Sequence, residues 1–161
     1  MTMITTHKDM DALTMTLVAV FDADVERVWQ VWEDPRQLER WWGPPEWPAT
    51  FVRHSLEIGA TSHYFMTGPD GERMHGWWMI TAVGAPFSLE LDDRFADEDG
   101  NPTDTLGVTR MTVTLEAHAE QTRMTLMSTF ENLDQLQQMI DMGMEEGLRL
   151  AVGQIDGLLA E

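Results

Sequence analysis

The chain has 161 residues, with 28 Asp plus Glu against 10 Lys plus Arg, a formal charge of −18, and no cysteine. That charge opposes phosphate backbones and anionic membranes, so neither nucleic acid nor membrane is an expected partner. Without cysteine there are no disulfides, thiolate nucleophiles or thiolate metal ligands, and no stretch approaches the ~20 apolar residues of a membrane span. The expectation is one cytoplasmic domain.

Residues 1–12 show neither helical nor strand periodicity and are expected to be a frayed end, leaving residues 13–161 as the domain. Leu13, Met15, Leu17, Ala19 and Phe21 alternate with Thr and Val, the period of a first strand. Val25, Val28, Trp29 and Trp32 then recur at helical spacing, with Asp22 or Asp24 available as a cap. Asp34-Pro35 stops this helix and starts a second, in which Leu38, Trp41 and Trp42 share a face until Gly43-Pro44-Pro45. Residues 28–47 thus hold five of the chain's seven tryptophans. Such a concentration suits a core, a partner anchor or one wall of an apolar cavity.

Six further strands are expected over residues 50–57, 61–68, 73–83, 87–95, 106–117 and 121–130, spaced as an antiparallel meander. Within them, the acidic stretch DDRFADEDG (92–100) reads as a solvated strand end and loop. Asn132 and Gln135 open a capping box, after which residues 133–160 read as one long helix. Its apolar stripe includes Leu136, Ile140, Met144 and Ala151, with Gly143 and Gly147 in the centre. Two interior glycines cost roughly 1 kcal/mol each, so either close packing or space for a ligand has to compensate.

A two-residue Asp70-Gly71 turn would pair Tyr64 with Trp77, Met66 with His75 and His63 with Trp78. In that register Tyr64, Met66, His75, Trp77 and Met79 share one face, while His63 and Trp78 share the other. A metal triad of His54, His63 and His75 is then unexpected, because the histidines diverge. His75 and Tyr64 could transfer a proton, with Asp93 or Glu90 as partner, although a hydrogen-bonded wall residue is the simpler role for His75. Among the thirteen methionines, Met66, Met79, Met111, Met124 and Met144 fall in strands or on the last helix. There they either fill irregular gaps in a core or line a pocket that tolerates several shapes.

FDADVERVWQVWEDPRQLERWWGP, HGWWMITAVGAPFSLELDDRFADEDGNP and MGMEEGL together resemble the homologues of the ATPase activator of the ninety-kilodalton heat-shock protein. These belong to the START-like, birch-pollen-allergen-like (SRPBCC) superfamily. The resemblance implies an α+β helix-grip fold: a curved antiparallel sheet of about seven strands around a long C-terminal helix, with two short helices after the first strand. It further implies a cavity between sheet and helix for a small hydrophobic or amphipathic ligand. On that fold the candidate lining residues are Trp29, Trp32, Trp41, Trp42, Tyr64, Met66, His75, Trp77, Met79, Leu91, Met111, Met124, Ile140, Gly143, Met144, Gly147 and Ala151. No catalytic residue, cofactor or metal is assigned, and a monomer or homodimer is expected. A cyclase- or hydratase-type enzyme and a chaperone- or protein-binding module are the alternatives.

Two blocks depart from the family pattern. Ser55-Leu56-Glu57-Ile58-Gly59-Ala60 stands where relatives often have Asp-Leu-Arg-x-Gly-Gly, and Gly147-Leu148 stands where they often have Gly-Trp. The smaller Leu148 is expected to enlarge the cavity or alter the packing under the sheet. Chaperone activation is not expected of a chain that lacks the N-terminal domain of the eukaryotic co-chaperones.

Overall fold

The computed structural model describes residues 3–161. Its strands are β1 (Ile4–Asp9), β2 (Thr14–Phe21), β3 (Ala49–Arg53), β4 (Thr61–Thr67), β5 (Arg73–Gly84), β6 (Ser88–Ala96), β7 (Thr109–His118) and β8 (Gln121–Thr129). The helices are α1 (Val25–Glu33), α2 (Pro35–Leu38), α3 (Leu133–Asp141), α4 (Met144–Gly153) and α5 (Ile155–Leu159). The strands form one antiparallel sheet in the order β1-β2-β8-β7-β6-β5-β4-β3. Alternation along each strand sends Met15, Leu17, Ala19, Phe21, Leu89, Leu91, Met111, Val113, Met124 and Leu126 into one core. Leu136, Leu148, Val152, Ile155 and Leu158 from the last three helices close over it. This is the expected α+β helix-grip arrangement.

The helix starts follow the capping chemistry. Asp24 Oδ1 accepts from Arg27 N at 2.8 Å, Asp34 Oδ1 from Arg36 N at 2.9 Å, and Asn132 Oδ1 from Gln135 N at 2.8 Å.

Four expectations need correction. The N-terminal segment is an ordered edge strand over Ile4–Asp9, paired with β2; residues 1 and 2 of the expected frayed end lie outside the described residues. Its weak periodicity reflects an edge strand held from the side by polar groups. Thr6 Oγ1 and Lys8 Nζ donate to Glu145 at 2.7 and 3.1 Å, and Arg149 donates to the Ile4 carbonyl at 3.1 Å.

The long helix is three helices. Gly143, at φ +89°, breaks it after α3, and a second turn at Gln154 separates α4 from α5. A left-handed backbone is what glycine permits and other residues resist.

The β4–β5 hairpin is shifted by one residue. Gly68 N donates to Glu72 O and Gly71 N to Gly68 O, so the loop is longer than a two-residue turn. Tyr64 pairs with Gly76, Phe65 with His75 and His63 with Trp77. With a side-chain period of two, one step exchanges faces. Trp78 therefore joins the core, while His75, Trp77 and Met79 sit on the opposite face with His63. The histidines do not diverge: His63 Nε2 and His75 Nδ1 lie 3.0 Å apart with stacked rings.

Finally, the acidic stretch is not all solvated. Asp93 shares the inner face with Leu91 and Met111, because β6 pairs Asp93 with Trp78 and Thr109.

The two glycines of the last segment are predicted to respond oppositely to alanine. A Cβ meets nothing within 4 Å at either Gly143 or Gly147, so space does not distinguish them. Gly143→Ala should destabilise by about 1–2 kcal/mol, because it forces a left-handed backbone on an L-residue. Gly147→Ala, inside α4, should stabilise by up to about 1 kcal/mol. Urea unfolding of both variants checks the signs.

Candidate functional site

The indoles of the first two helices mostly build a floor. Trp32 and Trp41 are fully buried, and their rings meet edge to face at 4.8 Å. Trp41 Nε1 donates to Val31 O at 2.8 Å, and Trp32 Nε1 points at the Met124 sulfur at 3.4 Å. Trp78 stands edge-on to Trp42 at 4.8 Å and lies near Phe51 and Tyr64. His54 ties this floor together, with one ring nitrogen 2.8 Å from Trp32 O and the other 2.8 Å from Ser62 Oγ. Burial holds its pKa below the ordinary value.

Above this floor lies a cavity of about 390 Å³. Trp42, Pro44, Trp47, Tyr64, Met66 and Met74 form one side. Asp93, Arg94, Phe95, Thr109 and Met111 border it from β6 and β7, Leu106 and Gly107 from the loop between those strands, and Met139, Met142, Gly143, Met144, Gly147 and Leu148 cover it. Leu148, where relatives often carry Trp, forms part of the wall.

The expected lining residues therefore divide. Trp42, Tyr64, Met66, Met111, Gly143, Met144 and Gly147 border the cavity; His75 also touches it, with its ring turned to His63 on the other face. Trp29, Trp32, Trp41, Leu91, Met124 and Ala151 are buried core instead, with the Trp32 and Trp41 rings packed on one another. Ile140 packs at the edge of that core and leaves the wall to its neighbour Met139. Trp77 and Met79 are on the opposite face because of the register shift, with Arg94 over the Trp77 ring.

Pro44, Trp47, Met74, Arg94, Phe95, Leu106, Gly107, Thr109, Met139 and Met142 were not expected in the wall, whereas Leu148 was expected to affect the cavity. Trp47 belongs to the tryptophan-rich stretch 28–47, Met74 follows from the corrected β4–β5 register, and Phe95 from its pairing with Gly76. The loop residues carried no such signal.

The chemistry of the cavity is concentrated at one pair. Tyr64 Oη donates to Asp93 Oδ1 at 3.1 Å. Tyr64 is positioned by the absence of a side chain at Gly76, where a Cβ would overlap its ring. Asp93 is half-buried, and the surface it retains opens into the cavity. Desolvation raises its pKa from 3.8 to about 7, against the opposing hydrogen bond of Tyr64 and the nearby Trp78 indole N–H. Tyr64 is pushed well above its usual value of 10.0, by desolvation first and by the nearby Asp93 charge second. The indole N–H groups of Trp42 and Trp78 are buried without a well-formed hydrogen bond, although both come near enough to Tyr64 to favour its ionised form.

On the other face, His63 titrates below its usual value, through desolvation and then the neighbouring His75. Among the described residues no three His, Asp or Glu side chains converge as a metal site. No helix among them is long and apolar enough to cross a membrane.

A curved antiparallel sheet gripping C-terminal helices around a cavity defines a helix-grip protein of the START-like class. Residues 22–160 match the family described as activator of Hsp90 ATPase homolog 1-like protein, and the chain belongs to that family. It is similar to an Arthrobacter aurescens protein solved by NMR, at 58% identity and a TM-score of 0.93, covering 97% of this chain and 91% of that one. A Mycobacterium smegmatis crystal structure is similar at 49% identity and a TM-score of 0.90, over 98% and 97% of the two chains. The fold is shared with an AHSA1 protein from Silicibacter pomeroyi at 19% identity and a TM-score of 0.73, over 91% and 97%. No curated protein matches the chain.

The Asp93 environment has a consequence for stability. An Asp whose folded pKa is raised favours the native state fully below the unfolded value of 3.8, and loses that advantage as pH climbs through about 7. Asp93→Asn removes the titration. Relative to wild type, the variant should gain roughly 2–4 kcal/mol between pH 4 and pH 8, allowing for partial access of water through the cavity. Urea unfolding across that range measures the difference, which the other carboxylates share equally in both proteins.

Proposed function

We propose that the protein binds a small hydrophobic or amphipathic molecule in the cavity between the sheet and helices α3 and α4. The observation that carries this reading is the open space over Gly147. A Cβ there meets nothing, so the glycine serves room rather than close packing. A concave, largely apolar site with few polar groups is the usual form of a small-molecule site, and this volume falls within the common range. Six methionines in the wall provide unbranched, polarizable surface that adapts to different ligand outlines. The Tyr64–Asp93 pair would orient the polar end of an amphipathic occupant.

One observation favours a second reading, proton-transfer catalysis of the cyclase or hydratase type. Asp93 titrates near neutrality beside a tyrosine hydroxyl and faces the cavity, where it could give or accept a proton. Turnover of a cavity-bound compound that is lost in Asp93→Asn, with binding retained, would establish this chemistry. Binding without turnover leaves the carrier reading.

Gly147→Leu is the direct test of cavity use. Its side chain would enter the void, so stability should change by less than about 1 kcal/mol, while affinity for apolar ligands falls at least about tenfold. Trp42 and Trp47 border the cavity, so saturable quenching of tryptophan fluorescence reports binding. A strongly destabilised variant would show that the space is needed for packing. An unchanged affinity would place binding elsewhere.

A further inference from the structure

The polar end of the cavity also selects a head group, an inference that rests on the binding reading above. We propose that the occupant is an amphipathic cation, an ammonium seated against Asp93, Trp42 and Tyr64 with its apolar portion along Met139 and Met144.

Three observations converge on positive charge. The first is a carboxylate without a counter-ion. Asp93 gives one oxygen to Tyr64, and among the described residues no Lys, Arg or His pairs with it. Arg94, next along β6, donates through Nη2 to Thr103 O and Asp104 and makes no ion pair with Asp93, although its Nε is buried without a partner. An apolar cavity is an expensive place for an uncompensated carboxylate, and a ligand cation would offset that cost directly.

The second is the arrangement of rings. Trp42 and Tyr64 meet at 84° with centroids 6.1 Å apart, making an aromatic corner beside the carboxylate. Trp47 and Phe95 add further ring surface to the same wall. The face of an aromatic ring attracts a cation, most strongly for Trp, and aromatic walls are a common means of holding quaternary ammonium groups. An anionic head group would face both the ring quadrupoles and Asp93.

The third is the field of the whole molecule. A formal charge of −18 raises the local concentration of cationic ligands and lowers that of anionic ones. A neutral alcohol could satisfy Asp93 by hydrogen bonding, but it would gain little from the rings or this field.

The titratable and charged groups around Asp93 are few. Tyr64 on β4 bonds to it, the β5 residue His75 turns its ring to His63, and Arg94 is held by Thr103 and Asp104. On β7 its pair is the uncharged Thr109. The α3 and α4 residues over the cavity, such as Met139, Met144 and Leu148, carry no charge. Asp93 is therefore the group whose ionisation should govern cation binding near neutrality.

Tryptophan fluorescence of the full chain, titrated with three probes sharing a phenylalkyl tail, tests this. They are phenylpropyl-trimethylammonium, phenylbutanol and phenylbutyrate. The cation should bind at least about tenfold tighter than the alcohol near pH 8, and phenylbutyrate weakest of the three. Asp93→Asn should remove most of that preference, bringing the cation to within about threefold of the alcohol measured on the same variant. Lowering the pH towards 6 should weaken the cation for wild type and leave the variant flat, because the quaternary nitrogen does not titrate.

Saturable binding with the alcohol or the carboxylate as tight as the cation would overturn cation selection and leave the cavity reading standing. A cation preference that survives in Asp93→Asn would assign it to the general negative surface and overturn the role of this site. No saturable response to any of the three would defeat the cavity reading itself.

Discussion

The packing of Trp32 is the constraint on which the rest of the structure depends. Its ring lies 4.8 Å from Trp41, 6.0 Å from Trp42 and 6.3 Å from Trp78. Its indole N–H reaches Met124 on β8, and its carbonyl meets His54 beyond β3. One residue on α1 thereby joins the helix to β8, to β5 and to the segment after β3. Aromatic pairs of this kind contribute roughly 0.5–1.5 kcal/mol each beyond burial of their area, and the cluster contains several. With the floor anchored, Trp42 is held upright beside Tyr64, and one cavity wall follows from core packing.

The same cluster supports arrangements that core packing alone would disfavour. Trp42 and Trp78 leave indole N–H groups without a well-formed bond, Asp93 is lifted towards neutrality, and Gly147 sits inside α4 where a side chain could fill space. Each costs stability. All lie at or beside one cavity, while Trp32, Trp41 and the inward residues of β2, β7 and β8 are fully packed. A stable half thus carries a half left incomplete. That division is expected where binding, rather than stability, sets the residues.

Much of the fold was legible because its signals are local. Alternation in β2, the caps at Asp24, Asp34 and Asn132, and turn residues between strands each follow from nearest neighbours along the chain. The β4–β5 register was not. Gly68-Pro69-Asp70-Gly71-Glu72 supports more than one turn length, and both strand faces are apolar, so hydrophobic pattern gave no vote on which face turns inward. That single step exchanged Trp78 for Trp77 and placed His63 beside His75. The break at Gly143 was masked in a similar way, because the apolar stripe continues through it from α3 into α4.

Asp93 shows why the candidate site was the least legible part. In the sequence it is one acid among five in DDRFADEDG, and composition makes the whole stretch look like solvent-facing loop. Only strand parity separates it from Asp92: the sheet pairs Asp92 with Met79 and Arg110 outside, and Asp93 with Trp78 and Thr109 inside. Adjacent, chemically identical side chains are thereby given opposite environments. Asp92 takes an arginine partner in solvent, with Arg110 Nε at 3.3 Å, while Asp93 turns towards rings and methionines without one. The contrast is created by β6 pairing and by nothing local to either residue. A site built from such long-range placement carries its chemistry in the register of the sheet, which is why a one-residue error moved three of the expected lining residues to the opposite face.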